Sequence, residues 1–281
     1  MGWTANMLND LCNLELDSGL ATSLTKTLAE FSPGTNTAIV NVMKNSVFGI
    51  GAGLLTLFML MELIALVNRA DGSEQGLMGI QLPANVIIKF AIFSVLFCHI
   101  PSILGAIEEI AASIASSLAS TDYSFGVGIS PSQTSVIADA VDSLGIIEKI
   151  FTYIIVLICW LLVRLILGII SIMAIFRCFE LWLLLLFSPI PLACLASKEF
   201  NQTAFNFLKN FTAVSLNAAA IVACFVIYKT LMTSFIVSYD PSTDVSFWLS
   251  SILMKNITYA FALGVTVFSC GRITKQMFGV I

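Results

Sequence analysis

The sequence predicts an all-α, polytopic transmembrane protein. Five or six spanning helices are expected, with an amphipathic N-terminal helix and a helical hairpin outside the lipid. Three observations lead there. Hydrophobic residues make up 58% of the 281 positions and charged residues only 11%, against about 25% charged in an ordinary soluble domain. Mean hydropathy is +0.97. Between Ile150 and Ala196 the chain runs 47 residues with only three charges, Arg164, Arg177 and Glu180. One bilayer crossing takes roughly 20 apolar residues, so that run is long enough to cross twice.

Residues 1–46 are polar, with Leu20, Leu24, Leu28 and Phe31 at helical spacing and Leu8 and Leu11 extending the stripe. They are expected to form an amphipathic helix on the membrane or on a partner, stopped by Ser32-Pro33-Gly34. No basic start followed by an apolar core is present in this region, so the first spanning helix is expected to act as insertion signal. The transmembrane pair occupies 47–104: a span Val47–Val67, a polar loop Asn68–Pro83, and a span Ala84–Leu104. Gly49 and Gly53 are placed for close helix packing through a small-xxx-small pattern.

Residues 105–145 contain no Lys or Arg but five acids, Glu108, Glu109, Asp122, Asp139 and Asp142. Ile103, Ile107, Ile110, Ile114 and Leu118 share one helical face, and Val136, Ile137, Ala140, Val141 and Leu144 share another. A Gly/Ser/Pro-rich turn separates them, hence an extramembrane hairpin. Ala111, Ala112, Ser113, Ala115, Ser116 and Ser117 oppose the Ile stripe and are expected to be its exposed side.

The transmembrane core is expected at 146–270. It contains helices Ile146–Ile170, Ala174–Leu195, Phe211–Phe235 and Phe247–Cys270, with a proline break at 188–191 and a basic tail at 271–281. Positive-inside counting favours six spans with the N-terminus inside. The Lys/Arg-free 105–145 interval favours five spans with the N-terminus outside. Both place the 197–210 loop and the C-terminus in the cytoplasm.

Charges within apolar helices cost about 2.5–3.5 kcal/mol each on insertion scales and are candidate functional groups. Arg177 and Glu180, at i and i+3, can pair on one face. Arg164 calls for Glu62 or Glu180 of a neighbouring helix, or for water. The cysteines (Cys12, Cys98, Cys159, Cys178, Cys194, Cys224 and Cys270) form no CxxC pair and read as packing residues. With His99 the only histidine, no metal spacing exists. No nucleophile motif, HExxH or other catalytic constellation is present, so neither enzyme activity nor a cofactor is expected. The net charge of −4 is scattered, unlike a nucleic-acid surface.

The run Leu181–Leu208 reads LWLLLLFSPIPLACLASKEFNQTAFNFL. A long apolar helix ends at Ser188, Pro189 and Pro191, followed by Leu192 and Ala193, then Thr203 and Phe207 before the next span. This resembles the TrbL-like polytopic membrane subunits of type IV secretion and conjugation machines, in the branch of Gram-positive conjugative elements. A looser likeness extends over about 146–275. The resemblance implies a channel or scaffold subunit in the cytoplasmic membrane, forming a ring with copies of itself. Its other partners would be further secretion-system membrane subunits and ATPases, the bilayer, and, in transit, the translocated DNA or protein. A secondary transporter or permease is the main alternative, but it should show two broken helices in corresponding halves, and one is visible. A membrane-lesion or immunity protein of a mobile element is a further alternative.

Overall fold

In the computed structural model, the residues described are 23–70, 78–120, 146–237 and 245–280. Among them all regular structure is helical. The elements are α1 (Leu28–Phe31), α2 (Pro33–Val42), a π-helical segment (Met43–Val47), α3 (Phe48–Ala70), α4 (Met78–Cys98), α5 (Ile100–Ser120), α6 (Ile146–Phe187), α7 (Pro189–Ala193), a 3₁₀ turn (Cys194–Ala196), α8 (Asn201–Val237) and α9 (Val245–Met277). Five stretches are long and apolar enough to cross a membrane: Pro33–Ala65, Ile100–Ser120, Ile150–Phe187, Asn201–Tyr228 and Leu253–Met277. Ile87–Cys98 is a shorter apolar helix.

Several boundaries differ from those read in the sequence, each for a local reason. The Leu24–Phe31 stripe is not one helix. Thr27 starts a new turn with a capping box: its hydroxyl accepts from Glu30 N–H, and the Glu30 carboxylate accepts from Thr27 N–H. The Thr-x-x-Glu spacing was legible as such a cap. Pro33 opens α2 at its first turn, where a missing N–H is harmless, so Ser32-Pro33-Gly34 is a start as well as a stop. The helical backbone then continues into α3, and the expected boundary at 46/47 falls inside the π-helical segment. The wider π turn leaves Met43 and Val47 both buried while Lys44, Asn45 and Ser46 are exposed.

The second span does not run through to Leu104. His99 forms a turn, its ring nitrogen Nδ1 lying 2.9 Å from Val95 O, and Ile100 begins a new helix with Pro101 in its first turn. That helix, α5, expected as one arm of an extramembrane hairpin, is long and apolar enough to cross a membrane. The hairpin's turn and second arm, 121–145, lie outside the described residues. The exposed side of α5 matches the expectation only in part. Ser113, Ser116 and Ser117 are exposed and Ile107 and Leu118 pack against the core, but Ala111 and Ala115 are buried, as is Leu104, whereas Ile110 is 63% exposed and Ile114 is exposed as well. Small residues at 111 and 115 let neighbouring helices approach closely.

The largest correction is α6. The sequence suggested a break near 171–173, but Ile146–Phe187 is one uninterrupted 42-residue helix. Nothing between 171 and 173 breaks it, because Ser171 donates to its own helix at Leu167 O (3.0 Å) and no proline is near. One continuous helix cannot cross twice, so the six-span count that used this run for two crossings does not hold. The polar connector Lys198–Asn210 is likewise mostly helical, since α8 begins at Asn201.

Contacts divide the described residues into two compact units. The first takes 23–25, 114–120, 146–176, 218–237 and 245–272, with a core including Val156, Val163, Ile170, Ile221, Phe225, Leu263 and Val267. The second takes 26–70, 78–113, 177–217 and 273–280, with a core including Leu28, Leu55, Phe97, Leu104, Leu181, Trp182 and Phe211. Large aliphatic and aromatic side chains face outward on α3, α4, α6 and α9, among them Leu60, Ile64, Ile88, Val95, Phe151, Ile172, Phe179 and Phe261. In water this would be an aggregation surface; it suits lipid.

Candidate functional site

The proline break is the architectural centre of the second unit. α6 ends where Ser188, fully buried, donates its hydroxyl to Leu185 O at 2.7 Å. Pro189 then opens the five-residue α7, and the 3₁₀ turn follows. Two prolines remove two backbone donors and leave carbonyls without helical partners, which lipid cannot satisfy. Accordingly α7 is seated on protein, against α3, α4 and the π-helical segment. Pro189, Leu192 and Ala193 are buried. Ser188 Oγ also lies 3.8 Å from Met43 Sδ.

The glycine that admits this break is Gly51. A Cβ there would lie 2.7 Å from Phe97 Cζ, 2.8 Å from Pro189 Cβ and 2.8 Å from Pro189 O. Gly49 and Gly53, the expected packing pair, have nothing within 4 Å of the equivalent point. The close approach within the chain thus falls on the opposite helix face. A Gly-x-Gly-x-Gly run offers both faces equally, and the sequence alone does not choose. Farther along, Phe207 packs on Phe211 (6.4 Å between ring centroids) and Thr203 N–H bonds to Phe200 O.

The charges have partners that the sequence did not assign. Glu62 pairs with Lys198 at 3.2 Å, tying the C-terminal half of α3 to the turn after the break. Glu180 pairs with Lys275 at 2.8 Å, and Lys275 lies in α9, which continues to Met277 through most of the expected basic tail. Arg177 is 5% exposed and donates from Nη1 to Ser215 O on α8 (3.2 Å). It also interacts electrostatically with Glu108 of α5. Arg177 and Glu180, expected as a pair, each have a partner from a different element. Arg164 is exposed and lies over the Trp160 ring, 5.4 Å from its centroid. This cation–π contact is a third way, beyond the two expected, for the charge to be accommodated.

Glu108 is the group that sequence reasoning missed. It was counted among the acids of an exterior hairpin. Yet Leu104, Glu108, Ala111 and Ala115 step by four, three and four, and that stripe of small residues was the available sign that the carboxylate points inward. Among the described residues no cluster of His, Cys, Asp or Glu could hold a metal ion. The Glu180–Lys275 pair is half-buried, so Lys275→Ala should change thermal stability in detergent by no more than about 1 kcal/mol. A larger loss would mean that the tail is a main structural support.

The described residues are helical, with five stretches apolar enough to cross a membrane and a proline-broken helix in the second unit. A family model, the TrbL/VirB6 plasmid conjugal transfer like protein, matches residues 15–189, more than half of the chain. The chain belongs to the TrbL/VirB6 plasmid conjugal transfer-like family. It is thus a membrane component of a conjugal transfer system. The family match contains Gly51, Glu108, Arg177, Ser188 and Pro189, and stops there. Most of the Leu181–Leu208 run that carried the resemblance lies beyond it, so the family signal resides mainly in the N-terminal two thirds. No curated protein and no solved structure matches the chain.

Proposed function

We propose that the chain is a channel or scaffold subunit of a conjugative type IV secretion system, surrounding with copies of itself a conduit for DNA or protein through the cytoplasmic membrane. Membership of the conjugal transfer family carries this reading. Two features of the fold support it. The outward faces of the helices are apolar, as a subunit embedded in lipid requires. The broken helix is seated on protein at Gly51, which makes a rigid wall element rather than a loose loop. The 197–210 region and the C-terminal tail, with Lys198, Lys209, Arg272 and Lys275, are the cytoplasmic face under the positive-inside rule. There they would meet the system's ATPases and other membrane subunits.

The test is to follow the cargo. In donor cells actively transferring DNA, formaldehyde cross-linking followed by immunoprecipitation of the tagged chain should recover the transferred strand well above a non-mobilisable plasmid. Equal recovery of both, with transfer intact, would remove the conduit role and leave a scaffold beside the path.

A further inference from the structure

Glu108 does more than balance Arg177. Its carboxylate, on the inward face of α5, accepts a hydrogen bond from the backbone N–H of Leu28, the first residue of α1. Arg177 is the favourable opposite charge in its surroundings, while Glu30 and Glu109 oppose it. Arg177 in turn donates to Ser215 O on α8. Glu108 thus touches α1 and Arg177 touches α8, and the residues concerned, Leu28, Glu108, Arg177 and Ser215, all belong to the second unit.

α1 cannot hold itself. A single four-residue turn is far below the length at which a helix is stable in isolation. It has three external grips: the Glu108 hydrogen bond, the Leu28 side chain buried in the core of the unit, and Phe31 against Trp182 at 6.3 Å. Only the first is polar and directional. A carboxylate and a guanidinium inside apolar helices carry a desolvation penalty that well-packed aliphatics would avoid. Their presence here calls for a specific role, and the geometry offers one.

We propose that Glu108, held by Arg177, is the latch that seats the N-terminal turn Thr27–Phe31 on the membrane bundle, and that this seating is required for transfer. Both are positioning residues. The latch is independent of whether the subunit lines a conduit, because its first readout is local structure.

The test is amide hydrogen exchange of the full chain in lipid nanodiscs, paired with mating assays. In Glu108→Leu/Arg177→Met both charges are removed together, which spares the fold an unpaired ion. Exchange at residues 28–31 should rise about tenfold or more while 48–65 stay protected, and transfer should be lost. Glu108→Gln keeps a carbonyl oxygen toward Leu28 and should restore slow exchange and transfer in part.

A matched pair guards against loss of fold in the double variant. Leu28→Ala keeps the N–H, whereas Leu28→Pro removes it at a first-turn position that proline tolerates. The proline variant should exchange faster at 29–31 and transfer less than the alanine variant. Slow exchange at 28–31 in the double variant, fast exchange with wild-type transfer, or equal behaviour of the Leu28 pair would each overturn the latch.

Discussion

Arg177→Ala should destabilise the bundle by about 1.5–3 kcal/mol, the usual worth of a buried hydrogen bond made by a charged group. The residue is 5% exposed, and its loss removes a side-chain donor to Ser215 O and a favourable charge from the surroundings of Glu108. The matched control is Arg164→Ala. That side chain is exposed, and its cation–π contact with Trp160 is worth about 0.5–1 kcal/mol at such a site. Thermal unfolding of the two variants in the same detergent separates them. The sequence treats the two arginines alike, as isolated charges in an apolar run. The structure does not, and equal losses would mean that Arg177 is not an internal tie.

Gly51→Leu should prevent accumulation of folded protein in the membrane, and Gly51→Ala should cost about 1–3 kcal/mol as an overpacking change. The atoms in the way are the rim of the Phe97 ring and the ring and carbonyl of Pro189. A backbone carbonyl and a proline ring inside a packed break cannot swing aside as a lysine tail could. Gly49→Ala and Gly53→Ala meet open space and should stay within about 0.5 kcal/mol of the parent, the usual range for a substitution that touches nothing. Membrane abundance and melting temperature of the three alanine variants read this out. If Gly49 or Gly53 proved the sensitive one, the contact that matters would be with another molecule rather than with the break.

Most of the fold class was legible because it rests on bulk quantities. Low charge, long apolar runs and helical periodicity all point to spanning helices, and the family resemblance at Ser188-Pro189 marked the right class of protein. What was hidden depends on which side of a helix faces protein. In a soluble protein the aliphatic stripe faces inward, and α5 read that way gives an exterior helix with a small-residue surface. On α5 that rule holds only in part: Ala111 and Ala115 pack while Ile110 faces out, and the part-buried Glu108 shares the face of Leu104, Ala111 and Ala115. The same question of facing concealed the choice among Gly49, Gly51 and Gly53. The uninterrupted α6 was hidden for another reason. Its length exceeds what one crossing needs, so a reader counting crossings inserts a turn that no proline or glycine pair provides. The partners of Glu62 and Glu180 were out of reach because Lys198 and Lys275 lie 136 and 95 residues away in the chain.

The central claim is that this membrane subunit works as an assembly of copies around a conduit. Its most direct test is the mass of the particle extracted into lipid nanodiscs without passing through harsh detergent, read by native mass spectrometry. A single discrete multiple of the 30.4 kDa chain, unchanged on dilution, is the expected result. A particle that is strictly one chain under those conditions, from cells competent for transfer, would contradict it.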